Sequence, residues 1–164
     1  MSKLLEFKAM HQQDELLLIG NAWDVLSAII LQQAGFKAIA TTSWGIANAM
    51  GYQDGERIEF NDILEVVKKI IAVVNIPVSI DIESGYSSNN DDVAVNVLKI
   101  AELGAVGINI EDSIKDGSGL KSLVDQSELI QSIRAKLDEH GYSDFFINAR
   151  IDTYFQLKEP QNET

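Results

Sequence analysis

Apolar and polar positions follow one another along this chain as a repeating unit: an apolar run, a polar tip, an amphipathic helix, a glycine, and the next run. The first run is Leu16-Leu17-Leu18-Ile19-Gly20-Asn21-Ala22; Asp24 then caps a predicted helix that reaches Gln33 and stops at Gly35. The second run, Ala38 to Ser43, leads into an irregular insert from Trp44 to Glu59. Ile63, Val67, Ile70 and Val74 share one face and predict a helix from about Asn61 to Val74. Pro77 opens the third run, Val78 to Glu83. A helix from about Asp91 to Leu103 follows, with Val93, Val97, Ile100 and Ala101 as its buried stripe and Gly104 at its end. The fourth run is Val106 to Glu111. Asp125 with Glu128 then resembles a capping box for a helix carrying Leu129, Ile133 and Leu137 and ending at Gly141. The fifth run is Phe145 to Arg150.

Strands alternating with helices of this length imply parallel pairing through right-handed crossovers, and strands apolar almost throughout imply a sheet covered on both faces. An open doubly wound sheet and a β/α barrel both satisfy that pattern. The dinucleotide version of the open sheet fails, because Gly20-Asn21-Ala22-Trp23-Asp24 replaces the glycine-rich turn; a P-loop is absent too. The polar residues collect at the C-terminal ends of the runs: Asn21, then Thr41-Thr42-Ser43, Asp81 and Glu83, Glu111 and Asp112, and Arg150 and Asp152. In parallel β/α folds those ends line one face, where ligands bind.

Asp81 and Glu83 are two apart on a predicted strand and so point to the same side, with Glu111 arriving from the next strand at similar height. Three converging carboxylates repel one another unless a cation neutralises them. An oxygen-only set with no His or Cys nearby favours Mg²⁺ or Mn²⁺ over zinc, with one carboxylate binding directly and the others holding metal-bound waters. The competing reading has Asp81 and Glu83 capping neighbouring backbone or pairing with lysines. Arg150 is the only arginine at a strand end, and its planar fork suits carboxylate or phosphonate oxygens. A structural ion pair with Asp152, Asp112 or Glu111 suits it equally. In Ser43-Trp44-Gly45 the glycine admits an anion to backbone N–H groups and Ser43 adds a hydroxyl, although a lone Ser-x-Gly reads first as a plain turn. His140 near a helix C-terminus and Trp23 read as structural, His11 lies in a polar N-terminal segment, and no strand-end histidine supports a Ser-His-Asp arrangement.

Composition narrows the partners. The chain has 164 residues, 46% hydrophobic and 23% charged, which suits one sizeable core. Its net charge of -12 repels phosphate backbones and anionic lipid, so neither nucleic acid nor membrane is expected, and an anionic substrate needs a local positive centre. The absence of cysteine excludes disulfides, thiolate metal sites and a cysteine nucleophile. No apolar run approaches the ~20 residues of a membrane span, and the first residues lack a signal-peptide pattern, so a cytoplasmic location is expected.

Six stretches resemble the isocitrate lyase / phosphoenolpyruvate mutase superfamily: Gly20 to Asp24, Thr41 to Ala47, Gly51 to Glu56, Asp81 to Tyr86, Ile110 to Ser113 and Ile147 to Asp152. They come in that family's order and spacing. The resemblance implies an α/β fold of (β/α)8 TIM-barrel type, in a single partial-barrel domain over residues 1–164. It implies an enzyme that makes or breaks a C–C bond next to the enolate of a small 2-oxo or 2-hydroxy acid. P–C chemistry on a phosphonate and an inert fragment are the alternatives. Asp81 would be the main Mg²⁺ (or Mn²⁺) ligand, with Glu83 and Glu111 acting through metal-bound waters. Ser43, Trp44 and Gly45 would hold the substrate carboxylate, Arg150 would stabilise charge on the carboxylate or leaving group, and Asp54 matches an acidic position that reaches the pocket. The full-length protein would be a homo-oligomer.

Departures accompany the resemblance in the loop after the fourth strand, at Trp44 and in length. The lyases of that superfamily carry a cysteine in the loop after the fourth strand, where this chain reads Ile114-Lys115-Asp116-Gly117-Ser118-Gly119-Leu120-Lys121. Phosphonate-cleaving members place a lysine and an asparagine there; Lys115 and Lys121 are present and the asparagine is not. Trp44 is also bulky where many members have a small residue. A full barrel needs ~250 residues. The chain is therefore expected to supply about the first five β/α units and to leave two parallel edges open, with Phe155 to Thr164 as the loop toward a further helix.

Overall fold

The computed structural model describes residues 2–115 and 117–156. Five parallel strands lie in chain order: β1 Ile19–Ala22, β2 Ala38–Thr41, β3 Val78–Asp81, β4 Gly107–Glu111 and β5 Phe146–Arg150. A doubly wound sheet reverses its order at a switch point. This one never does, which is how the wall of a barrel grows. Helices α1 Lys3–Met10, α2 Val25–Gln33, α3 Ser43–Ala49, α4 Phe60–Val73, α5 Asn90–Glu102, α6 Leu123–Glu139 and α7 Thr153–Gln156 complete the described chain.

The strands divide their residues by face. Ile39, Ile80, Ile108 and Ile110 are fully buried in one core with Ile63, Val67 and Ile70 of α4, Val97 and Ile100 of α5, and Ile133 and Leu137 of α6. The other face mixes small and polar residues with Ile19 and Phe146, and its Asn21, Ala40, Ser79, Asp81, Asn109 and Asn148 line an open cavity of about 450 Å³. Gly107 is required there, because a Cβ would lie 2.8 Å from the Phe146 carbonyl oxygen of β5. Register aligns the polar rows: Asp81 pairs with Asn109, Asn109 with Asn148, and Glu111 with Arg150.

Helix starts follow the local chemistry. Asp24 caps α2 and Ser27 returns the bond, a capping box. Asn89 caps α5 through the Asp91 and Asp92 amides. The expected capping box at Asp125 is corrected: Ser122 is the N-cap of α6, and Asp125 lies in the first turn, where it donates its N–H to Ser122 Oγ and accepts the hydroxyl in return. Nor is the insert after β2 irregular throughout, since Ser43 to Ala49 form α3 beneath a Thr42 cap and bury Ile46 and Ala47.

The N-terminal segment folds as α1, a helix the polar pattern does not announce. It buries Phe7 against Ala38, which opens β2, and Val106, just before β4, and Lys3 Nζ donates to Val74 O at 3.2 Å. The first apolar run is a strand only from Ile19; Leu16 and Leu18 are 95% and 74% exposed. Residues 153–156 close the described chain as α7, and the rest of the expected terminal loop lies outside the described residues. No helix among them is long and apolar enough to cross a membrane.

Candidate active site

The C-terminal ends of the strands bring the acidic residues together. Asp81 is the last residue of β3, and its carboxylate is held by four donors: Ser43 N–H at 3.0 Å and Ser43 Oγ at 2.8 Å on one oxygen, Asn109 Nδ2 at 3.1 Å and the Glu83 N–H at 3.3 Å on the other. Asn109 is oriented in turn by Asn148, whose Nδ2 donates to its Oδ1 at 2.6 Å. Capping of backbone is thus realised at Asp81, while the lysine pairing falls on Glu56 instead.

Glu83 does not continue the strand alternation expected of it. The strand ends at Asp81, and Glu83 has φ 51, in the left-handed region. Its Oε1 accepts the Tyr86 hydroxyl at 3.0 Å and its Oε2 the Glu56 N–H at 2.8 Å. Glu111 is brought alongside by the bond from its N–H to Glu83 O at 2.8 Å. Burial pushes Glu83 up to about 7; the Tyr86 bond opposes this, and the charges of Asp54, Asp81 and Glu111 add to it. Burial likewise raises Glu111 to about 7, against the pull of Arg150 and with further repulsion from Asp152, Asp81 and Asp54. Asp54, exposed on the loop after α3, therefore acts on both glutamates through its field.

Arg150 is engaged by carboxylates of this chain. Its Nε donates to Asp152 Oδ1 at 2.7 Å and its Nη2 to Asp152 Oδ2 at 2.8 Å, and Nη2 also meets Glu111 Oε2. The Asp152 bonds raise the guanidinium above its usual range, and Arg150 holds Asp152 below the usual carboxylate range. Of the two uses open to Arg150, the ion pair is the one formed here. Ser43, Trp44 and Gly45 make the first turn of α3 rather than a loop. Both Ser43 donors serve Asp81, and the Gly45 N–H is directed at the capping Thr42 Oγ1 at 3.3 Å. Glycine at 45 answers a packing need, since a Cβ would stand 2.9 Å from Trp23 Cβ. Trp44 is 63% exposed beside them.

The donor set fits a hard cation. It is all oxygen, and burial, with smaller contributions from neighbouring carboxylates, lifts Glu83 and Glu111 to about 7, a cost that a divalent ion would remove. Among the described residues no group of three or more acidic or histidine side chains closes on a single point.

The family model for phosphoenolpyruvate phosphomutase matches residues 7–164. The chain belongs to this family. A phosphoenolpyruvate phosphomutase of Tetrahymena pyriformis is 30% identical over 93% of this chain and 52% of its own length. A 2-methylisocitrate lyase of Escherichia coli is 29% identical over 88% of this chain and 50% of its own length. A solved phosphonopyruvate hydrolase in complex with oxalate and Mg²⁺ superposes with a TM-score of 0.88 at 25% identity, over 95% of this chain and 54% of that one. The chain thus spans about half the length of the curated relatives it matches. The mutase family's (β/α)8-type fold agrees with the unreversed strand order, and these named relatives work on both P–C and C–C bonds.

Sequence reasoning named these carboxylates and missed what holds them. Glu56, Ser84 and Tyr86 lie inside stretches that carried the resemblance, yet nothing in their spacing marks them as partners. Asn109 and Asn148 did leave a signal: each is a lone amide two residues before a charged strand end, inside an otherwise apolar run.

Proposed function

We propose that this chain is the N-terminal part, a single partial-barrel domain, of a Mg²⁺-dependent enzyme that makes or breaks a C–C bond next to the enolate of a small 2-oxo or 2-hydroxy acid. What supports the reading is the grouping of Asp81, Glu83 and Glu111 at the strand ends, with Asp54 acting on both glutamates through its field, and burial and neighbouring charge lifting those two to about 7. Asp81 would hold Mg²⁺ (or Mn²⁺), with Glu83 and Glu111 anchoring its waters. A bound divalent ion there supplies a Lewis-acid centre for an enolate oxygen. Ser43 and Asn109 fix the Asp81 carboxylate by donating to both its oxygens. The α3 start, with Ser43, Trp44 and Gly45, would bind the substrate carboxylate, and Arg150 would turn from Glu111 toward the carboxylate or leaving group.

With a net charge of -12, the small anionic substrate would need a local positive centre, and nucleic-acid or membrane-surface partners are disfavoured. The whole enzyme would work in the cytoplasm as a homo-oligomer. P–C chemistry is the second reading, favoured by the lysines at 115 and 121, which line a cavity of about 890 Å³ beside the mouth. The two separate on a substrate panel given to the full-length protein with Mg²⁺. Turnover of 2-hydroxy diacids or oxaloacetate with none of phosphonopyruvate is expected. Phosphate release from phosphonopyruvate would transfer the assignment to the second reading.

A further inference from the structure

Three non-glycine residues sit in the left-handed backbone region, Glu56 at φ 54, Glu83 at φ 51 and Tyr86 at φ 61, and they meet at the mouth. An L residue persists there only where its surroundings over-determine it. Glu56 supplies the surroundings. Although it lies on the loop between α3 and α4, its side chain is only 2% exposed. Its Oε1 accepts the Ser84 N–H at 3.0 Å and the Ser84 hydroxyl at 2.7 Å, and its Oε2 is paired with Lys115 from the loop after β4. Its own N–H donates to Glu83 Oε2 at 2.8 Å. Lys121 Nζ grips the other side of Ser84, donating to its carbonyl oxygen at 3.2 Å.

We infer that Glu56 is a positioning residue: its buried carboxylate ties together the segments that follow β2, β3 and β4, and so holds Glu83 in its strained conformation beside the other carboxylates. A carboxylate this buried is costly to leave unpaired, so the Ser84 and Lys115 bonds stand or fall as one unit. The tie itself stands on these contacts; its effect on ion binding rests on the proposed function.

The test uses the 164-residue chain. Glu56→Gln keeps an oxygen for Ser84 and removes the charge that holds Lys115, while Lys115→Met removes the partner from the more exposed side. Hydrogen exchange at residues 83–88 and trypsin cleavage after Arg57 read the tie with no ion present. Each single variant is expected to exchange about tenfold faster there, and the double variant no faster than either, because all three lose the same bond. Mn²⁺ affinity, read by electron paramagnetic resonance, should fall about 10–100-fold in Glu56→Gln, the effect of losing a group that orients a ligand. Wild-type exchange in Lys115→Met, additive effects in the double variant, or Mn²⁺ affinity unchanged in Glu56→Gln would each overturn the inference. Absence of Mn²⁺ binding by the parent chain would instead count against the proposed function, and the exchange arm would still decide on the tie.

Discussion

Replacing Glu83 by glutamine should make the ion-free protein more stable at pH 8 and leave it nearly unchanged at pH 5. Glu83 is 7% exposed and its pKa is lifted from the ordinary 4.5 to about 7, with burial as the main cause. The folded state therefore binds more protons than the unfolded state between those values. Stability falls as pH rises through that window, and the loss is complete above about 7. The displacement corresponds to roughly 3 kcal/mol withheld from the ionised form. Glutamine carries no charge to desolvate and can keep both neighbours, its oxygen taking the Glu56 N–H and its amide donating to the Tyr86 hydroxyl. Urea unfolding in EDTA at the two pH values, comparing parent and Glu83→Gln, measures the difference. A gain of about 2–3 kcal/mol at pH 8 that vanishes by pH 5 is the expected result. Equal destabilisation at both pH values would refute the reasoning, because Glu83 would then be a satisfied structural residue.

Gly85 has φ +109, and a Cβ there would stand 2.5 Å from Val93 Cγ1 of α5. Gly85→Ala should therefore cost about 2–4 kcal/mol in urea unfolding, and a cost under about 1 kcal/mol would contradict the packing described. Arg150→Lys gives up the paired bonds to Asp152, which is 4% exposed, and the contact with Glu111. With Arg150 itself about a third exposed, the expected loss is about 1–2 kcal/mol at pH 7. Asp152 is held below its ordinary pKa of 3.8, so this contribution is present above that value and disappears as pH falls through the still lower folded value. A pH-independent loss would place the effect elsewhere.

The strands and most of the helices were legible because burial imposes period on the sequence. Ile63, Val67 and Ile70 could only be one face of a helix, and the isoleucines of β3 and β4 could only face its neighbours. The gathering of polar residues at one end of the sheet was legible for the same reason, since parallel strands share a direction. Two things were not. Local backbone departures such as the left-handed Glu83 break the period-two rule that placed its side chain, and no glycine marks the position. Amphipathicity also fails for α1 and α3, which are short and bury few residues, Phe7 in one case and Gly45, Ile46 and Ala47 in the other. At Arg150 the sequence offered a substrate anion or any of three carboxylates of similar chemistry, and the fold pairs it with two of them, Asp152 and Glu111.

The most direct test of the metal-enolate account is calorimetry of oxalate, a planar mimic of the pyruvate enolate, with and without Mg²⁺, on this chain and on the full-length protein. The account predicts binding that requires Mg²⁺ and is lost in Asp81→Ala. Binding by neither protein, or binding indifferent to Mg²⁺ and to Asp81, would contradict it and leave the fold without the site.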